Sequence, residues 1–187
     1  MALKKQWYDI VAPKMFEERV IGETLASDGR NLVGRTVEVS LLELAKDFSK
    51  FYIKLHFRVD RVEGSKAYTV FVGHDVLRER IYRMVQRRTR RVDIIRDITT
   101  KDGAKLRVKA MLILTRRVNT SIKDAVRTTA ASLIDTTIAN STLDDFVKLL
   151  ISGELQATVR RECNKISPVG NVELRKSEFV REHKKEA

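Results

Sequence analysis

A chain of 187 residues with 43% apolar content, two prolines and eight glycines is long and apolar enough to bury a core, which excludes a disordered or collagen-like chain. Its 37 Lys and Arg against 25 Asp and Glu leave a formal charge of +12, a self-repulsion that a polyanion relieves. Apolar runs such as Met111–Leu114 and Leu149–Ile151 fall far short of the roughly 20 residues a spanning helix needs, so nucleic acid rather than a membrane is the expected partner.

The chain starts MALKKQWYD, charged and with no apolar stretch behind it, so no signal peptide is expected. Trp7 and Tyr8 beside Lys4 and Lys5 have two readings: a base-stacking pair, or an anchor for an N-terminal arm. The anchor is the preferred one. Val37 to Leu41 then alternates apolar and polar, as a half-buried strand does. Tyr52 to Val59 does so for longer, with Lys54, His56 and Arg58 on the solvent side. Glu63-Gly64-Ser65 reads as a turn and Ala67 to Val72 as the return strand.

At Gly73-His74-Asp75 the pattern breaks, and Asp75 is expected to cap a helix beginning at Val76. Its apolar face would be Leu77, Ile81, Met84 and Val85, with Arg80, Arg83 and Arg87 recurring along another side. After Thr89 the period becomes two: Val92, Ile94 and Ile98 point one way, Asp93, Ile95 and Asp97 the other. Lys101-Asp102-Gly103 is a hairpin turn, since Asp-Gly tolerates positive φ. The strand from Lys105 to Leu114 starts with one basic face and becomes apolar on both.

The last third reads as helical. Ile122, Ala125, Val126, Leu133, Ile134 and Ile138 form a stripe capped at Thr120 or Ser121. Thr142 to Asp145 resembles a capping box, with Gly153 as the stop of that helix. Glu154 to Asn164 is a third helix, Val172 to Arg175 a strand, and the segment from Arg181 a flexible tail.

No catalytic constellation stands out. His56, His74 and His183 are far apart and have no Cys or carboxylate cluster at metal-ligand spacing. His56 reads as a surface residue and His74-Asp75 as a turn-stabilising pair. No phosphate-cradling glycine loop or nucleophile elbow occurs. The chain is therefore read as a non-enzyme, with no cofactor, no metal and no small-molecule substrate. The single cysteine, Cys163, allows no intrachain disulfide, fits a reducing cytosolic compartment and reads as a packing residue.

The basic residues carry the signal. Fourteen Lys and Arg lie between Arg78 and Arg117, against only Glu79, Asp93, Asp97 and Asp102. A surface built for solubility alone mixes the signs. Arginine outnumbers lysine here, and its planar fork grips phosphate bidentately and stacks on bases. Aromatics are only 6% and no RNP-like box, zinc finger or zipper occurs, so the pattern suggests phosphate and shape readout of a folded RNA.

Several longer strings occur in a fixed order: KKQWYDIVAPKMF (Lys4–Phe16), VIGET (Val20–Thr24), GRTVEVSL (Gly34–Leu41), DFSKFYIKLHFRV (Asp47–Val59), FVGHDVLRERI (Phe71–Ile81), QRRTRRVD (Gln86–Asp93), TTKDG (Thr99–Gly103) and VELRKSE (Val172–Glu178). Together they resemble the small-subunit ribosomal protein family of archaea and eukaryotes called S-three-A-e or S-one-e. The likeness is to an archaeal-type member without the C-terminal extension, and it is weakest from Ser121 to Gly153.

The resemblance implies an α+β fold, an antiparallel β-barrel-like core flanked by helices, with a helical C-terminal third. The expected layout is a β-rich RNA-binding core with an N-terminal arm over 1–117, a helical segment packed on it over 118–167, a returning strand over 168–178 and a flexible tail over 179–187. It also implies a structural constituent of the small ribosomal subunit in the cytoplasm, on the platform near the messenger exit and the 3′ end of the small-subunit rRNA. Small-subunit rRNA and neighbouring small-subunit ribosomal proteins are the implied partners, with messenger RNA nearby. The candidate RNA contacts are Lys4, Lys5, Arg78, Arg80, Arg83, Arg87, Arg88, Arg90, Arg91, Lys101, Arg116, Arg117 and Lys123. The alternative is a free-standing RNA-binding assembly or initiation factor that joins the small subunit transiently.

Overall fold

The alternation that begins at Tyr52 becomes a long strand in the computed structural model, which describes residues 5–45 and 48–180. The chain divides into two compact units, Met1–Leu77 and Arg78–Ala187.

The first unit contains β1 (Gln6–Val11), β2 (Val20–Ala26), β3 (Thr36–Ser40), α1 (Leu41–Ala45), β4 (Ile53–Glu63) and β5 (Lys66–Val76). In β4, Ile53, Leu55, Phe57 and Val59 are buried while Lys54, His56 and Arg58 are half-buried, as the period of two requires. Gly64, at φ 59°, turns the chain back into β5. Strand order in this unit is β2-β1-β5-β4-β3, antiparallel except for the β1–β5 pair. Tyr8, Ala26, Leu32, Val59 and Ala67 form one buried cluster. Phe57 meets Phe16 and Phe71 edge-on, with centroids 5.6 and 6.3 Å apart.

The second unit contains α2 (Arg78–Met84), β6 (Arg90–Thr99), β7 (Lys105–Leu114), α3 (Thr120–Ala139), α4 (Leu143–Ser152), α5 (Glu154–Asn164) and β8 (Val169–Phe179). Its strands run antiparallel in the order β6-β7-β8. α3 packs along β6, and α5 against α3 and β8. Val126, Ala130, Ile134 and Ile138 supply the buried face of α3 at a strict spacing of four. The α+β class, the flanking helices and the helical last third are as expected. Among the described residues, the strands are not closed into a barrel.

Several local expectations are corrected. β5 runs on through His74 and Asp75 to Val76, because Val76 and Asp75 pair with Ile53 and Lys54 at the start of β4. The ladder wins over the cap, so α2 starts at Arg78, and His74 is a fully buried strand residue. The stripe of α3 is also narrower than expected: Ile122 and Ala125 are exposed, and the cap position is Asn119. The sequence pattern shows no strand before Val37, yet β1 and β2 pair from Gln6↔Ala26 to Val11↔Val20. Tyr8 is the buried aromatic of that pair, whereas Trp7, preferred as an anchor, is 64% exposed.

Candidate nucleic-acid interface

The positive charge of the second unit falls into two sets. The first set is neutralised. Arg107 on β7 stands opposite Asp97 on β6 and donates to it from Nε and Nη2, both at 2.7 Å. Arg91 donates from Nε and Nη2 to the one oxygen Oδ1 of Asp93, at 2.9 and 2.7 Å. Arg96 reaches Asp135 on α3, with Nε 2.9 Å from Oδ2. Lys109 lies 2.7 Å from Glu178 on β8, and Lys176 lies 3.1 Å from the same carboxylate. Arg80 pairs with Glu173 at 3.3 Å.

These contacts bias titration in the expected sense. The hydrogen bond from Arg107 holds Asp97 below the ordinary carboxylate range, and the one from Lys109 does the same to Glu178. Ile95, Arg96, Asp97, Arg107 and Lys109 line a concavity of about 500 Å³. Its cations already have carboxylate partners, so it is a poor acceptor of phosphate.

The second set is free. Arg78, Arg83, Arg87, Arg88, Arg90, Arg116 and Arg117 make no ion pair among the described residues, and all are exposed. The β6–β7 register explains how distant parts of the sequence meet. Arg90 faces Leu114, so the residues before β6 and those after β7 leave the hairpin at one end. Arg87 and Arg88 thus lie at the same end of the hairpin as Arg116 and Arg117. α2 adds Arg83, because its Met84 packs on Met111 and Ile113 near that end of β7. Helix α2 stops at Met84, and a turn follows in which the Thr89 hydroxyl donates to the Gln86 carbonyl at 2.7 Å. Arg88 sits in that turn at φ 69°. Arg87 is thus a loop residue and does not continue a helical stripe with Arg80 and Arg83.

The remaining candidates are spread over both units. Lys123 lies in the first turn of α3, which runs beside β6 in the same direction, so it belongs to the arginine-rich end. Lys101 lies at the opposite end, where its N–H donates to the Ser141 carbonyl at 3.1 Å. The ten residues of β7 between the two ends span roughly 30 Å. Arg80 and Arg91 belong to the paired set. Lys5 is exposed in the first unit, and Lys4 lies outside the described residues.

One feature of this end is not evident from the sequence pattern. Helical spacing assigns Val85 to the buried face of α2, but it is 40% exposed, and Tyr82 beside it is 74% exposed. The spacing of Tyr82 from Arg78, four residues on, is the signal that would have found it. Among the described residues, no group of His, Cys, Asp and Glu is placed to hold a metal ion. Cys163 is fully buried, and burial pushes its thiol up to about 11. No helix among the described residues is long and apolar enough to cross a membrane.

Comparison with known proteins gives these features a family. The model of the Ribosomal S3Ae family matches residues 2–183. A small ribosomal subunit protein eS1 of Sulfurisphaera tokodaii is 38% identical over 177 residues, which is 95% of this chain and 92% of that protein. The eS1 protein of Methanobrevibacter smithii is 39% identical over the same shares of each chain. That of Methanothrix thermoacetophila is 36% identical over 94% of this chain and 83% of its own. With a family match of this extent and relatives aligned over almost their whole lengths, the chain belongs to the Ribosomal S3Ae family.

Proposed function

We propose that this chain is a structural constituent of the small ribosomal subunit and binds rRNA through the free arginines at one end of its second unit. The observation that carries the reading is the sorting of charge. Nearby acids neutralise Arg91, Arg96, Arg107 and Lys109, whereas Arg83, Arg87, Arg88, Arg90, Arg116 and Arg117 converge without carboxylate partners among the described residues. Clustered guanidiniums repel one another until a polyanion neutralises them, and the cations they displace from its phosphates supply much of the binding free energy. The names of the relatives point to the ribosome as the source of that polyanion. The finer reading rests on the family resemblance: the platform near the messenger exit and the 3′ end of the small-subunit rRNA, in the cytoplasm. Neighbouring ribosomal proteins flank the chain there and messenger RNA passes nearby. The RNA contact belongs to residues 78–90 and 116–117 with the start of α3, and no catalytic step is assigned to the chain.

The test is a sucrose-gradient profile of the tagged chain from its own cells, with stoichiometry measured after a moderate-salt wash. One copy per small subunit is expected. A light-fraction or substoichiometric profile would overturn the structural role and favour a transient assembly or initiation factor.

A further inference from the structure

The exposed ring of Tyr82 on α2 stands among the free arginines. The helix turns Ile81 and Met84 toward Met111 and Ile113. Arg78 and Tyr82 follow at i and i+4, so they lie along one side of the helix beside that buried face, and Val85 is the first residue past its end. Tyr82 is 74% exposed and Val85 40%. No hydrogen bond, ring contact or cation–π contact engages Tyr82 among the described residues. Arg78 lies one turn before the ring, Arg83 next to it in sequence, and Arg87 and Arg88 just beyond the helix.

A lone tyrosine on a surface is ordinary. A flat aromatic face inside a field of free guanidiniums is a different case, because the ligand that the cations attract brings aromatic faces of its own. Phosphates match Arg78, Arg83, Arg87 and Arg88, and of the parts of an RNA an unstacked base is the one that offers Tyr82 a face. In a uniform A-form duplex the bases are stacked on one another and present no free face, whereas loops and bulges splay them out. The exposed Ile95 makes a useful contrast. It is 62% exposed, but it is aliphatic and its neighbouring cations Arg96 and Arg107 are paired with carboxylates.

We propose that Tyr82 stacks on an unpaired RNA base, so that the arginine-rich end selects looped or bulged RNA over uniform duplex. This rests on the RNA-binding reading above and names the class of RNA element it takes. Arg78 and Arg83 hold the phosphates that flank the stacked nucleotide.

The experiment titrates the full chain at low salt into two fluorescein-labelled RNAs of equal phosphate count. One is a hairpin with an unpaired loop, the other a blunt duplex. The hairpin is expected to bind more tightly. Tyr82→Ala should weaken hairpin binding by roughly 5- to 100-fold, the range that loss of one base–aromatic stack covers. It should leave duplex binding and the salt dependence unchanged. Tyr82→Phe should keep the preference, since the ring and not the hydroxyl does the stacking. Equal hairpin binding by Tyr82→Ala, or an equal loss on both RNAs, would overturn the inference and leave the ring to a protein neighbour. Equal binding of both RNAs by the unmodified chain would overturn it as well while the RNA-binding reading survives. Binding to neither would overturn both.

Discussion

Arg107 and Asp97 face each other directly across the β6–β7 ladder, and the guanidinium holds the carboxylate by two hydrogen bonds of 2.7 Å. A strand pair of this kind fixes its own charge balance. To bind a phosphate, Arg107 would first have to give up a bidentate partner. The contribution of a basic residue here therefore depends on whether the fold has already given it an acid.

That distinction sets the first prediction. Replacing Arg83 and Arg87 by alanine should lower RNA affinity and reduce the slope of log K against log salt by about one for each phosphate left without its arginine. Arg107→Ala should leave the slope unchanged. RNA titrations across a series of salt concentrations measure both. An unchanged slope for the double variant would mean that the free arginines face something other than RNA.

The buried side of α2 gives a stability prediction. Met84 is only 6% exposed and packs on Met111 and Ile113, whereas Ile81 is half-buried at the edge of that cluster. Met84→Ala should cost about 2–5 kcal/mol in urea unfolding, and Ile81→Ala less. The reverse order would show that α2 is rotated about its axis relative to this structure.

The two ends of α4 test two caps separately. Thr142 Oγ1 accepts from the Asp145 N–H at 3.2 Å, and Thr142→Ala should cost about 1 kcal/mol. Gly153 sits at φ 84° with nothing within 4 Å of where a Cβ would stand. Gly153→Ala should therefore cost about 1–2 kcal/mol from backbone strain alone. Equilibrium unfolding of the two single variants reads both effects. A neutral Gly153→Ala would mean the helix end relaxes out of the left-handed region.

Cys163 predicts a pH dependence. Its ordinary value is near 9.0, and burial raises it to about 11. Below pH 9 the folded and unfolded chains both keep the thiol proton, so stability is unaffected. As pH rises from 9 towards 11 the unfolded thiol ionises first, and its share of stability is lost. Unfolding curves across that window should fall less steeply for Cys163→Ala. A thiol reagent at pH 8 should label the denatured chain and spare the native one. Rapid native labelling would contradict the burial.

Some of this was plain in the residues. The alternation of Val92, Ile94 and Ile98 against Asp93, Ile95 and Asp97 matches the burial of β6 residue by residue, because a strand's two faces follow from a period of two. Thr142 with Asp145 and Gly153 mark the ends of α4, because capping is a local interaction. The bounds of α2 were not legible. Asp75 is a good cap in isolation, but it belongs to a strand that β4 holds in place. Val85 has the right spacing for a core position, but the helix stops one residue before it and the chain turns away.

By itself the sequence determined the β6–β7 hairpin and the three helices of the last third, the density of positive charge between Arg78 and Arg117, and the ordered strings shared with a family. It could not say which cations are free, because ion pairing depends on separations of a few ångströms in space. Asp135 lies 39 residues from Arg96, Glu178 lies 69 from Lys109, and Glu173 lies 93 from Arg80. Only the tertiary structure brings those carboxylates into contact, and only the β6–β7 register carries Arg116 and Arg117 back to Arg87 and Arg88. The same chain thus hides part of its charge in pairs and gathers the rest at one end, because Coulomb attraction falls off with distance through space and not along the sequence.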